Sequence, residues 1–440
     1  MAESVDLLVT ASRVVTMDRD ANILENGAVA VRGDRIIDIG PGEELTAKYP
    51  GAPRMDEPHG LLMPGLVNTH THAAMACFRG LADDLPLMEW LQDYIFPAEA
   101  KLTGEIVYRS TLLSLCEMIK SGTTSFCDMY LFGADVARAA AESGMRAWIG
   151  EVLYDFPSPN YGPLDNGFTY MDELFTRYRD HELVTITVDP HAVYTCSPEL
   201  LVRLGQEAEK RQALYVIHLS ETNHEVGGCR EQHGCSPVRH LERLGLLNER
   251  VVADHCVVLD EEDIALLARR GVKVAHCPES NMKLASGAAP VPQLLKAGVT
   301  VGLGTDGSAS NNDVDMFGEM NSAAKLHKVI HGDPTVMNAE QTLRAATIDG
   351  AAVLGRAEDI GSLEVGKKAD FIVLDLDQPH LTPLYHPASH LVYSARGSDV
   401  IHSVINGRIV MRDRVITTLD EPEIMAQMRE IAGDIGKIMS

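Results

Sequence analysis

The chain has 440 residues, 45 % of them apolar, and a formal charge of −25 from 38 Lys and Arg against 63 Asp and Glu. Such a length exceeds one ordinary domain but suits a barrel of roughly 250 residues with a smaller companion. An acidic chain without a Lys/Arg-rich run repels phosphate backbones and anionic surfaces, so neither nucleic acid nor a membrane is an expected partner.

Residues 1–62 alternate and turn often: "DLLVTASRVVTMD", "GAVAVRGDRIIDIG" and "GLLMPGLVN" read as strands separated by Gly/Asp turns. The first residues show no basic stretch followed by an apolar one, and no apolar run nears the roughly 18 residues of a membrane span. Residues 63–362 change rhythm. Helical stretches such as "EIVYRSTLLSLCEMIKSG" and "SPELLVRLGQEAEKRQ" alternate with short apolar runs: "GLVNTHTH", "GTTSFCDMY", "MRAWIGEVLYD", "LVTITVDPHAVY", "LYVIHLSET", "RVVADHCVVL", "VKVAHCPESN" and "VTVGLGTDGSASN". Strands alternating with helices imply a parallel sheet, and eight such units imply a closed (β/α)8 barrel. Residues 363–440 return to strand texture in "ADFIVLDLD" and "DVIHSVINGRIVMRD", whose Asn-Gly marks a hairpin, before a final segment of helical spacing with an acidic first turn. The expected architecture is α/β: a TIM-like barrel with a small β-sandwich built from both termini. Eight scattered cysteines without a CxxC pair read as core residues of a reduced, cytoplasmic protein.

Nearly every barrel run ends in a residue that a core strand avoids: His70 and His72, His191, His218, His255, His276 and Asp306. Catalytic groups of barrels come from the C-terminal ends of strands. Residues i and i+2 of a strand point the same way, so His70 and His72 suit two ligands of one metal. His218 and Asp306 are the natural candidates to complete the set, leaving a position open for water. Taken singly, each residue also has a local reading, since strand histidines often just bond nearby groups and Asp306 fits a turn or a helix N-cap. Seven in one relative position favour the metal. The run "LVTITVDP" ends without a lysine.

The motifs "PGLVNTHTH", "HLSET", "HC", "HCPESNMKLASG" and "GTDGSASNN" resemble the amidohydrolase superfamily, in its branch of cytosine, guanine and adenosine-type deaminases and chlorohydrolases. The run "NTHTHAAMACFRGLADDLPLMEWLQDYIFPAE" is similar to the 5′-methylthioadenosine/S-adenosylhomocysteine deaminase family, and the similarity extends over essentially the whole chain. The resemblance implies that His70, His72, His218 and Asp306 bind one divalent metal per subunit, zinc first, with iron or manganese as alternatives. It implies that His255 holds the attacking water, that Glu221 is the general acid/base, that Asp306 accepts the water proton, and that Glu99, His191, Glu221 and Asp306 contact the substrate. The implied reaction replaces the 6-amino group of an adenine nucleoside by oxygen, releasing ammonia. A homo-oligomer is expected, as in most relatives of this fold.

Between Arg146 and Arg177 there is no Lys or Arg, where family members that take the carboxylate tail of S-adenosylhomocysteine are expected to offer one. An unpaired buried carboxylate is costly, so 5′-methylthioadenosine or adenosine is the expected substrate, with Arg79 as the alternative cation for the tail. His276 reads as structural, Ser280 and Asn281 as residues that orient backbone, and Trp90 and Phe78 as pocket lining or core. The competing functions are deamination or dechlorination of another ring (a guanine-like base, a pterin, a triazine), hydrolysis of a cyclic amide, which the missing lysine disfavours, and a catalytically inactive barrel acting as an assembly partner.

Overall fold

The computed structural model describes residues 4–85 and 87–439. Four N-terminal strands, β1 (Leu7–Val15), β2 (Ile23–Arg32), β3 (Arg35–Pro41) and β4 (Arg54–Pro64), precede the barrel. The barrel strands are β5 (Leu66–Thr71), β6 (Thr123–Tyr130), β7 (Arg146–Leu153), β8 (Val184–Ile186) with a short continuation β9 (Asp189–Pro190), β10 (Tyr215–Leu219), β11 (Val251–His255), β12 (Lys273–His276) and β13 (Val301–Leu303). Four strands follow: β14 (Phe371–Asp375), β15 (Val400–Ile405), β16 (Arg408–Arg412) and β17 (Val415–Ile416).

The terminal strands form one mixed eight-stranded sheet in the order β17-β16-β15-β14-β4-β1-β2-β3, so β14 from the C-terminal part lies directly against β4. Its strands enclose a small apolar cluster of their own, including Val9, Val31, Leu62, Phe371 and Val404. This is the sandwich expected from both termini. The run "GLLMPGLVN" does not stay one strand: it breaks at Gly65, where a Cβ would fall 2.1 Å from the Thr124 side chain. The final helix, Glu421–Met439, packs on the helix Gly104–Lys120 and is tied to it by Lys120 and Glu421 at 2.8 Å.

The barrel strands are all parallel, in two runs, β5-β6-β7-β8 and β10-β11-β12-β13. The stretch "LVTITVDPHAVY" splits into β8 and β9, and the bridge Val188–Tyr215 carries the sheet on to β10. Closure between β13 and β5 uses side chains. Asn68 donates to Thr305 Oγ1 at 2.8 Å, Thr69 to the Leu303 carbonyl at 2.8 Å, and Thr71 to the Asp306 carbonyl at 2.9 Å. The Asp306 amide in turn donates to the His70 carbonyl at 3.0 Å. Gly304 permits this approach, since a Cβ there would lie 2.8 Å from both the N and the O of His70. The seam thus sets Asp306 beside His70, although 235 positions separate Thr71 from Asp306 in the chain. Among the described residues no helix is long and apolar enough to cross a membrane, and all eight cysteines are buried and unpaired.

Candidate metal centre and catalytic pocket

The strand-end residues converge on the C-terminal mouth of the barrel. His70 and His72 point the same way from β5, with ring centroids 4.8 Å apart, and the His218 ring lies 5.0 Å from that of His70. Two of these rings have their Nδ1 hydrogen-bonded elsewhere, and the Nδ1 of the third faces a carboxylate. His72 Nδ1 donates to the Met129 carbonyl, His218 Nδ1 to the His191 carbonyl at 2.8 Å, and His70 Nδ1 lies 3.0 Å from Asp254 Oδ2. Their Nε2 atoms therefore carry lone pairs, and they face one another: His72 Nε2 and His218 Nε2 are 3.3 Å apart. Asp306 Oδ1 lies 3.2 Å from His72 Nε2 and 3.7 Å from His70 Nε2.

Converging lone pairs and a carboxylate with no proton to share fit a cation. The fit is borne out by His70 Nε2, which is buried without a hydrogen-bond partner. The ligand atoms of His70, His72 and His218 lie within 4.8 Å of one another, as do those of His70, His255 and Asp306. Burial opposes charge on His70, but Asp254 and Asp306 outweigh it and hold its pKa up to about 10. A divalent ion held there would take the place of that proton and use the Nε2 lone pair. The donor set suits one divalent ion.

Backbone strain accompanies the cluster. His255 (φ 69°), Asp306 (φ 59°) and Ser220 (φ 55°) adopt left-handed conformations that non-glycine residues seldom take. For His255 the consequence is direct. Asp254 and His255 are adjacent on β11, so strand alternation would send them to opposite faces. The left-handed turn brings the His255 ring to 5.4 Å from that of His70, while Asp254 reaches the same histidine.

The surrounding groups hold these side chains. Ser280 Oγ donates to Asp306 Oδ2 at 2.6 Å, and the Asn281 amide donates to His255 Nδ1 at 2.9 Å. Both residues were expected to orient backbone; instead they orient two side chains of the site. His276 pairs with buried His327 at 3.1 Å, in keeping with a structural role.

Beside the cluster lies a pocket, partly open to solvent, whose empty space amounts to about 800 Å³, with a largely apolar wall. His72, His218, His255 and Asp306 border one part of it, and Glu221, Glu99 and His191 border it too. All the sequence-derived site residues except His70, which is wholly buried behind His72, thus meet one space. Trp90 lines it, whereas Phe78 belongs to the core. Phe156 and Tyr154 stack at 3.9 Å on the wall. Among the described residues that line the cavity none is a lysine or arginine. Arg79 is spoken for by Glu117 and the Asn312 carbonyl and does not line it. Arg146 sits at the far end of its strand, paired with Asp370 at 2.7 Å.

The carboxyls differ sharply. Burial, reinforced by the charges of Asp306 and Glu225, pushes Glu221 up to about 8. Burial pushes Glu99, which accepts a 2.8 Å hydrogen bond from Tyr130, up to about 7. Burial also acts on Asp306, but His70 and His72 overcome it and hold that carboxyl well below the usual range. Burial lowers His191 and His255 to about 3, so both are neutral imidazoles. Asp254 and Tyr130 went unnoticed in the sequence; the only signal was an acidic residue inside an apolar strand, directly before a histidine.

With this geometry in view, the similarities to known proteins fall into place. The amidohydrolase family pattern matches residues 61–410, and a bacterial imidazolonepropionase-like composite domain matches residues 27–52, within the terminal sheet. The chain is 55 % identical over 430 residues, 98 % of each protein, to a 5-methylthioadenosine/S-adenosylhomocysteine deaminase of Syntrophobacter fumaroxidans. It is 45 % identical over 98 % of each protein to a 5′-deoxyadenosine deaminase of Methanosarcina barkeri. The crystal structure of an adenosine deaminase from Xanthomonas campestris with bound zinc superposes with a TM-score of 0.97 at 40 % identity, covering 99 % of this chain and all of the other. The chain belongs to the amidohydrolase family, where it is closely related to the 5-methylthioadenosine/S-adenosylhomocysteine deaminases.

Proposed function

We propose that the protein is a metal-dependent deaminase that converts an adenine nucleoside and water to the inosine analogue and ammonia. The observation that carries this reading is that a neutral-leaning acid, Glu221, and an ionised one, Asp306, border the same cavity as the clustered histidines. Two carboxyls whose environments push their pKa values apart are suited to opposite proton roles. An ion held by His70, His72, His218 and Asp306 supplies, when bound, the Lewis acidity that lowers the pKa of a water from 15.7 to about 7.

The chain's own groups carry the protons. Glu221 in its acid form protonates the ring nitrogen beside the amino-bearing carbon, which makes that carbon electrophilic. Asp306 takes a proton from the attacking water as its oxygen bonds to the carbon. Asn281 donates to His255 Nδ1, so the neutral imidazole bears its proton on Nε2 and orients the water by donating to it. Asp306 then returns its proton to the departing amino group, which leaves as ammonia. Glu221 recovers a proton from the new hydroxyl, and the ring keeps the one it gained. Glu99 and His191 are the polar groups placed to receive the ribose.

For the 5′ end, the aromatic wall and the absence of a lining cation support uncharged substituents: 5′-methylthioadenosine or adenosine ahead of S-adenosylhomocysteine. A homo-oligomeric state and a cytoplasmic location, the latter suggested by the unpaired cysteines, complete the proposal. The test is ammonia release by zinc-loaded protein from 5′-methylthioadenosine, S-adenosylhomocysteine, adenosine and guanine. Fast release from a nucleoside is expected, with S-adenosylhomocysteine at least about tenfold lower in kcat/KM. Turnover of S-adenosylhomocysteine with the highest kcat/KM would refute the 5′ assignment, and silence on all three nucleosides would refute the function.

A further inference from the structure

We propose that Asp254 is a positioning residue for the metal centre: its buried carboxylate fixes the orientation and tautomer of His70, and so governs how tightly the chain holds its ion. The inference rests on the metal reading of the histidine cluster.

The three clustered histidines are secured differently. His72 and His218 give their Nδ1 protons to main-chain carbonyls, Met129 and His191, which the barrel backbone supplies whatever the side chains. His70 has no main-chain acceptor at Nδ1; the group that faces it is a side chain, Asp254 Oδ2, in an ion-pair contact at 3.0 Å without hydrogen-bond geometry. Both residues are fully buried. A histidine that places its Nδ1 proton on a carboxylate keeps Nε2 as a lone pair and gains basicity as a ligand. The His70 ring also lies within 5.4 Å of the rings of His72, His218 and His255.

A purely architectural role does not account for Asp254. Neither of its oxygens has a hydrogen bond of good geometry among the described residues, and His70 is its one ion-pair partner there. Two further buried carboxyls stand nearby in the barrel interior. Asp189 has both oxygens without partners, and Asp128 spends one oxygen on the Ala73 amide at 2.6 Å. None of these supports Asp254; a lone buried carboxylate costs stability unless it is paired. An apolar residue of similar size at this position would not carry that desolvation cost. The compensating gain is the fixed His70. Asp128 acts just past the end of that strand, since the amide it holds, Ala73, directly follows His72.

The experiment measures zinc affinity by chelator competition for wild type, Asp254→Ala and Asp254→Asn, together with the melting temperature of each protein after zinc removal. Loss of an outer partner of a ligating histidine lowers metal affinity roughly 10–100-fold. That loss is expected for Asp254→Ala, with the zinc-free melting temperature unchanged or raised. Asp254→Asn keeps the shape and an acceptor oxygen but not the charge, and is expected to lose about 3–10-fold. If Asp254→Ala does not fold, Asp254→Asn decides alone. Affinities within twofold of wild type overturn the inference, as does a fall in zinc-free melting temperature with affinity intact, which marks a structural role. Wild type that binds no zinc overturns the metal reading and this inference with it.

Discussion

The two ends of the barrel both bury charge, and they treat it in opposite ways. At the N-terminal end, where the barrel meets the terminal sheet, Arg146 meets Asp370 with two hydrogen bonds, at 2.7 and 3.1 Å, and also reaches Asn406 Oδ1 and the Glu182 carbonyl. The Asn406 amide closes the network by donating to Asp370. Toward the C-terminal mouth, by contrast, buried Asp189 and Asp254 have oxygens that no donor among the described residues meets with good hydrogen-bond geometry, and burial raises Glu221 and Glu99 far above their ordinary values. Satisfied networks make a rigid junction, whereas unsatisfied groups store a demand for a ligand or a proton. One end of the molecule is built to hold, and the other to react.

The largest expected effect breaks the reactive end. Glu221→Gln removes the group that gives and takes protons, and should lower kcat by about 10²–10⁴-fold. With a pKa of about 8, the acid form of Glu221 is lost above that pH, so kcat/KM of the wild type should fall on the alkaline side with a limb near 8. Stability should move the other way. Glu221 titrates near 4.5 when unfolded and near 8 when folded. Below pH 4.5 both states are protonated and the group costs nothing. As pH rises from 4.5 through 8, the unfolded chain releases the proton that the folded chain retains, and stability is lost. Thermal unfolding of Glu221→Gln beside wild type should therefore show a gain for the variant that grows over this window. A constant difference between pH 4 and 9 would contradict the assignment.

Breaking the other end should cost stability and spare chemistry. Arg146→Ala strands Asp370 in the interior, and removal of one partner of a buried pair costs about 3–5 kcal/mol. Denaturant unfolding should register that loss, while kcat per folded molecule stays within about twofold. Replacing both partners, as in Arg146→Met with Asp370→Leu, should recover much of the stability, because the stranded charge is gone.

The same contrast explains what could be read before any fold was known. The His70–His72 spacing and the polar strand ends were legible because period-two alternation is a local property. Arg146 lies away from the mouth because it opens its strand. Asp254 escaped notice because alternation sends it away from His255, and only the left-handed backbone at His255 brings both to one cluster. Nothing in a histidine's identity announces a positive φ. Ser280 and Asn281 were assigned to backbone because their true partners, Asp306 and His255, lie 26 residues away, one past the last barrel strand and one at the end of β11. Arg79 stood as a candidate for the substrate tail until Glu117, 38 residues on, was seen to claim it. Short-range pattern reveals which residues stand at the mouth, but not which of them hold one another.

The smallest effect separates the two ends most cleanly, since the same bond type can be cut at each. Asn281 donates to His255 at 2.9 Å, and Ser403 donates to the Ile119 carbonyl at 2.9 Å near the junction; both residues are fully buried. One buried hydrogen bond contributes about 1 kcal/mol, or roughly five- to tenfold in an equilibrium or a rate. In Asn281→Ala the His255 ring loses the donor that fixes its tautomer, so kcat should fall about five- to tenfold with KM nearly unchanged. In Ser403→Ala the same free energy should appear as lowered unfolding stability, with kcat intact. Asn281→Asp gives the control that a mere cavity would not pass. Its carboxylate accepts from Nδ1 instead of donating to it, reverses the imidazole tautomer, and should reduce kcat at least as much as Asn281→Ala, although it fills the same volume. Equal kcat in wild type and Asn281→Asp would mean that the His255 proton does not matter to the reaction, and the mouth would then be holding its side chains for stability, as the junction does.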